Sequence, residues 1–539
     1  MKASEVLARS LVDQGVDTVF GVLGDANLFM GHHLIRDLGV TYVGATHEAI
    51  AVSMALGFAR SSGRLGVATV THGPGMTNTI TALVDGVRSR TPMLLVAGDT
   101  PADELDHPQQ IDQAALVATT GAGWAPVWSA STLAADLAKA IRRAWAEHRP
   151  IVLNVPVDIS RQEADYTPVP AAGRFDLSVG ADPDALDRAV GLLASANRPL
   201  ILAGRGAVLS GARDDIVALG NELGAPLCTT VLGSGYFGGE EFNLGIHGTL
   251  AHDAALDAIG QADCVLVLGA ALNRHTTDRG ALLRDKRVVQ VDIDPAQIGV
   301  RVDVDVAVVG DVRRVVKDMT EMLRSVDHQP SAFRSSDLER KLMDEPAADD
   351  LSTDTHLDPR TALRHLDRII PSDRTVAVDT GRFMRQALTM PVPEPTALVT
   401  SHAFGSIGLG MGNAVGAAVA KPDRPTVLLT GDGGFMMGGI AELHTAVEHQ
   451  LDLIVVVFND GSYGAEHIQL FRLGIDPSVS QHEWPDFCTV AEAMGYDTVR
   501  VENVAGFDIA EKHIAQRQPG TPLLIDVAID PMVASQLQL

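Results

Sequence analysis

Short apolar runs that end in a glycine or aspartate turn recur along the whole chain, with stretches of helical spacing between them. In the first third these are LGVATVTHGPG and TPMLLVAGD, separated by TNTITALVDGVRSR. The middle third offers RPLILAGRGA, ADCVLVLGAAL and RVVQVDIDP, and the last third RTVAVDTG, RPTVLLTGDGG, LDLIVVVFNDG and TPLLIDVAID. A strand buried on both faces has no polar side to show, so it reads as a continuous apolar run. Strands alternating with helices then predict an α/β chain of mostly parallel sheets flanked by helices. At 539 residues one hydrophobic core is too small to serve. Two stretches poor in periodicity, 160–185 and 326–358, read as linkers and predict domains at 1–165, 180–325 and 357–539.

Composition narrows the partners. The 68 acidic against 42 basic side chains give a net charge of −26, which offers no electrostatic attraction to nucleic acid or to an anionic membrane. Cys228, Cys264 and Cys488 are scattered, form no CxxC pair, and read as small buried hydrophobes in a reducing compartment. MKASEVLARSLVDQGVDTVFGV reads as an amphipathic helix followed by a strand rather than a secretory leader, and no uncharged apolar stretch is long enough to span a bilayer. The expectation is a cytoplasmic enzyme.

The sharpest local signal is Gly431-Asp432-Gly433-Gly434, followed after a helix and a strand by Asn459-Asp460-Gly461. The 25 residues between Gly433 and Asn459 hold the helix AELHTAVEH and the strand LDLIVVVF. Asp432 and Asp460 therefore emerge at the C-terminal ends of two parallel strands, the edge where open α/β sheets bind ligands. Glycines let a backbone approach a phosphate, and the following helix start presents free N–H groups. Two carboxylates plus phosphate oxygens form the hard donor set that Mg²⁺ asks for, with Ca²⁺ able to substitute.

This spacing resembles the GDG-to-Asn signature of enzymes that use thiamine diphosphate (ThDP), and the likeness extends over nearly the whole chain. The sequence looks like the pyruvate decarboxylase, acetolactate synthase, benzoylformate decarboxylase and benzaldehyde lyase branch. That resemblance implies a pyrimidine-binding domain, a central Rossmann-like domain and a diphosphate-binding domain, in that order. It implies Asp432, Asp460 and the Ser462 carbonyl as metal ligands, with Asp379, Thr380, Gly381, Gly431, Gly433, Gly434, Tyr463 and Gly464 around the cofactor. Many relatives carry Asn where Asp460 stands, so this chain puts a second carboxylate on the metal. That should hold Mg²⁺ more firmly and repel the diphosphate somewhat more. Glu48, at the start of the helix EAIAVSMALGFAR, is implied as the acid that pairs with the aminopyrimidine and activates the cofactor. Ile407, in FGSIG, is implied as the wedge that bends it.

The resemblance narrows the reaction less. Asp25 and Glu466 match the catalytic acids of pyruvate-type decarboxylases, and two carboxylates over the cofactor suit proton delivery. The paired histidines of those enzymes have no clean match. The loop ADELDHPQQIDQ offers His107 and Gln110, and its IDQ ending resembles benzaldehyde-lyase-like members. His72 and His275 fall near histidines of benzoylformate-type decarboxylases, while Asn27, His402 and Phe404 are candidates to line the substrate pocket. TTGAGWAPV lacks the lysine expected of an acetolactate synthase. The expected reaction is thus decarboxylation of a 2-oxo acid with carboligase activity. The alternatives are a benzaldehyde-lyase-like cleavage of 2-hydroxy ketones, an acetolactate-synthase-type transferase, or a non-catalytic ThDP-binding relative, against which Glu48 argues. LAGRGAVLSG and VVQVDIDP have a Rossmann-like pattern, yet a lone glycine-rich turn is weak evidence for a dinucleotide, and bound FAD is not favoured. Because the family's site lies between two subunits, the expected assembly is at least a homodimer, with a homotetramer favoured.

Overall fold

The computed structural model describes residues 1–104, 106–172, 178–343 and 349–533. The first sheet contains β1 (Thr18–Gly21), β2 (Thr41–Gly44), β3 (Gly66–Val70), β4 (Met93–Asp99), β5 (Gly123–Pro126) and β6 (Pro150–Pro156) in the order β2-β1-β3-β4-β6-β5. The second contains β7 (Pro199–Ala203), β8 (Leu227–Thr229), β9 (Asn243–Ile246), β10 (Cys264–Leu268), β11 (Arg287–Asp292) and β12 (Val306–Val309) in the order β12-β11-β10-β7-β8-β9. The third contains β13 (Thr375–Val378), β14 (Leu398–Thr400), β15 (Thr426–Gly431), β16 (Leu453–Asn459), β17 (Asp497–Val501) and β18 (Leu523–Ala528) in the order β14-β13-β15-β16-β18-β17. All three are parallel throughout, as the apolar runs require. The first and third orders are the same path traced twice, since β13 to β18 repeat the placement of β1 to β6. Read from its other edge, the second sheet has the doubly-wound order 3-2-1-4-5-6, which is the Rossmann arrangement.

The first and third sheets belong to one compact unit and the second to another. Within the second unit the glycines of LAGRGA are consumed by packing. A Cβ on Gly204 would fall 2.4 Å from the Gly269 carbonyl oxygen, and one on Gly206 would fall 2.7 Å from the Gly269 Cα. The turns after β7 and β10 thus press on each other, which accounts for both glycines without a ligand. Cys228 and Cys264 are buried, and burial pushes the Cys264 thiol up to about 12, so neither is a poised nucleophile. Among the described residues no helix is long and apolar enough to cross a membrane.

Two helices join the first and third sheets. Helix α1 (Glu48–Ser62) follows β2, and helix α2 (Gly410–Ala420) follows β14. Both are buried along most of their length, because each is covered by its own sheet and by the other helix. Their axes come close only because small residues face each other. A Cβ on Gly57 would lie 2.2 Å from the Asn413 carbonyl oxygen, and one on Gly416 would lie 1.9 Å from the Met54 carbonyl oxygen.

A polar clamp closes the end of this contact. Arg60 of α1 donates to the Asn413 side chain of α2 at 2.9 Å, to the Thr400 carbonyl, and to Asp85 at 2.7 Å. Asp85 is fully buried, and its other oxygen accepts from the Phe404 N–H at 3.3 Å. One carboxylate thereby ties the first sheet's helix to the loop that precedes α2.

Removing that carboxylate leaves a buried guanidinium without its counter-charge. Asp85→Ala should cost about 3–5 kcal/mol and lower the unfolding midpoint of the unit that holds the first and third sheets. A midpoint equal to wild type in thermal or urea unfolding would show that the clamp does not hold the two together.

Candidate active site

The register of the third sheet decides which side chains meet. Gly431 of β15 pairs with Phe458 of β16, so Asp432 and Asp460 are among the first residues past the paired ends. Asp432 opens helix α3 (Asp432–Gly438), and Asp460 precedes helix α4 (Gly464–Arg472). The Ser462 N–H lies between the two carboxylates, 3.2 Å from Asp432 Oδ2 and 3.0 Å from Asp460 Oδ1. The Ser462 hydroxyl adds a 2.7 Å bond to Asp460 Oδ1, and the Trp484 indole N–H donates to Asp432 Oδ2 at 2.9 Å.

Both acids are buried, which raises their proton affinity. Burial and then the neighbouring Asp460 push Asp432 up to about 7. Asp460 is raised by burial, against the pull of Arg382, whose guanidinium stands 3.1 Å from Asp460 Oδ2. Two like charges in a dry place repel strongly, and a divalent cation between them relieves the repulsion. Among the described residues no group of three or more His, Cys, Asp or Glu side chains gathers to enclose a metal by itself. A donor set of two carboxylates, with the remaining positions open to phosphate oxygens, fits Mg²⁺ carried by a diphosphate better than a protein-only cage.

The space beside these acids is kept clear by glycines. A Cβ on Gly464 would sit 2.5 Å from Asp460 Oδ2, and one on Gly434 would sit 2.7 Å from Asp379 Oδ2. Gly433 lies under the Tyr463 ring, 2.6 Å from where its Cβ would be. Gly431 ends β15 against the Phe383 ring, and Gly381 lies against the same ring.

Asp379 has a different task from the one its place in the motif suggests. Its carboxylate is buried and accepts from the N–H groups of Thr380, Gly408 and Gly410 and from the hydroxyls of Ser401 and Thr430. Five protein donors leave little capacity for a ligand, so Asp379 fixes the loop before α2. Thr380 is the part of that motif nearer the surface.

The first sheet places its candidates on the corresponding edge. Glu48 is the first residue of α1, half-buried, and accepts from the Asn78 amide at 2.9 Å. Just before it, the Thr46 N–H and hydroxyl both donate to Glu442, a fully buried residue of the C-terminal third. His72, after β3, is only 2% exposed, its Nδ1 has no hydrogen-bond partner among the described residues, and its ring meets that of His107 edge-on at 5.2 Å. Burial, then the neighbouring His107, lower the His72 pKa, so a neutral imidazole is held there. No hydrogen bond or ion pair links Glu48 to Asp432 or Asp460 within the described residues of one chain.

One expectation needs correction. Asn27 is buried with its amide turned inward, accepting from the Gly24 N–H and donating to the Val22 carbonyl and the Thr69 hydroxyl, so it stiffens its own loop rather than facing a substrate. Asp25 is 65% exposed and pairs with Arg161 at 3.3 Å, and Glu466 is exposed in the first turn of α4. Gln110 is exposed, and His107 Nδ1 accepts from the Gln109 N–H. His275 lies exposed in the central unit, where Arg274 donates to it. His402, Phe404 and Ile407 share the loop before α2, where Phe404 carries the Arg88 guanidinium over its ring at 4.6 Å and Ile407 is half-buried.

Sequence reasoning missed Arg382, Glu442, His482 and Trp484. Only Arg382 adjoined a recognised motif. Glu442 looked like an ordinary helix residue, and His482 stacks on Trp484 at 4.4 Å in a segment without any pattern.

Comparison with known proteins agrees with this geometry. Residues 1–116 match the family described as thiamine pyrophosphate enzyme, N-terminal TPP binding domain. Residues 186–319 match its central domain and residues 379–527 its C-terminal TPP binding domain. The chain is 28% identical to a probable acetolactate synthase large subunit of Methanocaldococcus jannaschii, over 99% of this chain and 93% of that protein. It is 28% identical to the acetolactate synthase isozyme 3 large subunit of Escherichia coli K12, over 98% and 95% respectively. A sulfoacetaldehyde acetyltransferase of Castellaniella defragrans is 28% identical over 94% of this chain and 89% of its own. With three cofactor-family domains in sequence order on three parallel sheets, the chain belongs to the thiamine-diphosphate-dependent enzyme superfamily.

Proposed function

We propose that the protein is an acyl transferase of the acetolactate-synthase type, which takes a 2-oxo acid, releases CO₂, and joins the remaining acyl unit to an acceptor carbonyl. The observation that carries this reading is the end-to-end similarity to acetolactate synthases and to an acetyltransferase. It displaces simple decarboxylation as the first choice.

On this reading Asp432, Asp460 and the Ser462 carbonyl hold Mg²⁺, and the Gly433 and Gly434 segment at the start of α3 receives the diphosphate. ThDP, when bound, supplies the carbon nucleophile and the electron sink that the acyl fragment needs. Glu48 holds a proton at the edge of the aminopyrimidine. The Glu442 clamp on Thr46 keeps the start of α1 in place for that contact. Ile407 and Phe404 shield the cofactor from water, and His72 offers a neutral imidazole to a polar atom of the substrate. On this reading the complete site draws on two copies, Glu48 from one and the carboxylate pair from the other. The exposed apolar run Phe471, Leu473, Ile475 and Val479 beside α4 suits burial against a second copy.

With pyruvate, ThDP and Mg²⁺, two pyruvates and one proton should yield one acetohydroxy acid and one CO₂. Adding aldehydes or other 2-oxo acids as acceptors should change the product while keeping one ligation product for each CO₂. One free aldehyde for each CO₂ would overturn the transferase reading in favour of the decarboxylase.

Glu48→Gln should lower kcat by about 10²–10⁴-fold while ThDP affinity changes little. Wild-type turnover in that variant removes Glu48 from the chemistry. Chelation of divalent metal, or Asp432→Asn, should release ThDP on gel filtration. Full retention of cofactor after complete metal removal would place the diphosphate somewhere other than the Asp432–Asp460 edge.

A further inference from the structure

The carboxylate pair does not stand alone. Arg382, three residues after Asp379, is part-buried and aims its guanidinium at Asp460 Oδ2. The rest of its fork is spent on the chain's C-terminal segment. It donates to the carbonyls of Asp530 at 2.9 Å, Pro531 at 2.7 Å and Val533 at 3.2 Å. The Arg382–Asp460 pair sits against the start of α4, where a Cβ on Gly464 would fall 3.1 Å from Arg382 Nε.

We propose that Arg382 is the built-in counter-ion of the metal site, balancing its second carboxylate before a cation arrives and restraining the cation's affinity afterwards. The inference rests on the metal reading of Asp432 and Asp460 given above. Two carboxylates and one guanidinium sum to −1, the formal charge of one carboxylate alone. Without Arg382 the fully ionised site would carry −2 in a place where Asp432 is buried, the Asp460 side chain is 6% exposed, and the two share one N–H donor. Such a site would be costly to fold without metal and reluctant to release it once bound. It would also present an extra negative charge to an incoming diphosphate. An arginine suits this position better than a lysine would. Its planar fork satisfies the carboxylate and three carbonyls at once, so the charge is held at a fixed distance rather than swinging on a flexible stem.

An arginine that gripped only the C-terminal carbonyls would leave metal affinity untouched, and this separates the two roles. The full-length chain with ThDP is titrated with Mn²⁺, free ion being read by electron paramagnetic resonance. Arg382→Gln should bind Mn²⁺ about tenfold tighter than wild type and Asp460→Asn about tenfold weaker. The double variant, whose formal charge is again −1 with Asp432, should return to within about threefold of wild type. Arg382→Lys keeps the charge while losing the fork, and should stay within about threefold of wild type. The proposal is overturned if Arg382→Gln binds Mn²⁺ no tighter than wild type, or if Arg382→Lys shifts affinity as much as Arg382→Gln. Should Arg382→Gln not fold, the comparison of the double variant with Asp460→Asn decides, and equal affinities in those two overturn it. Asp432→Asn serves as the control. If that variant binds Mn²⁺ like wild type, the metal is elsewhere and the counter-ion role falls with the site.

Discussion

The close approach of α1 and α2 is the constraint on which the rest of the unit depends. At Gly57 and Gly416 backbone meets backbone with no room for a side chain, so the two helices have one depth and one register. Each helix begins at a functional loop. The start of α1 carries Glu48, and the start of α2 follows the loop with His402, Phe404 and Ile407. Changing the helix contact would therefore move both loops together. The Arg60–Asp85 pair works at the far end of α1 to the same effect, because Asp85 also accepts from the Phe404 N–H.

The buried carboxylates Asp379, Glu442, Asp85 and Asp432 of this unit are stabilised in different ways, and the differences separate scaffold from candidate site. Asp379 is closed by five donors from the protein, Glu442 takes donors from Thr46 and Thr445, and Asp85 is paired with Arg60. These three are complete as they stand, as buried polar groups in a scaffold must be. Asp432 differs: the Gly433 and Ser462 N–H groups and the Trp484 indole reach it, yet burial and the neighbouring carboxylate of Asp460 still raise its proton affinity. The proposed Mg²⁺ would relieve that repulsion, which none of the other three acids needs.

The architecture was legible because parallel strands buried on both faces cannot hide in sequence. VATV, LILA, VLVL and LIVVVF each became strands where the apolar runs stood. Short strands such as β5, β9 and β14 were not, because three or four residues carry no usable period. The Asp432 and Asp460 edge was legible for the same reason as the strands: the motif residues follow directly after apolar runs. What escaped was everything joined across long sequence separations. Arg382 meets Asp460 and residues 530–533, and Glu442 meets Thr46, so neither pairing leaves a local trace. Asn27 misled for the opposite reason. A polar residue in a loop at a sheet edge looks available, and only the tertiary fold shows its amide turned inward.

The repeated topology gives the proposed assembly a physical reason. The first and third sheets follow the same path, so each has its switch point, and hence its crevice, at the equivalent strands. In the first sheet that edge holds Glu48 and His72, and in the third it holds Asp432 and Asp460. A cofactor with an aminopyrimidine at one end and a diphosphate at the other needs both crevices facing each other across its length. Within one chain the two sheets are joined through α1 and α2, and the glycine contact there leaves no gap for a ligand. Two copies related by a twofold axis would set the Glu48 edge of each against the carboxylate edge of the other, and would do so twice, which is what an isologous interface produces.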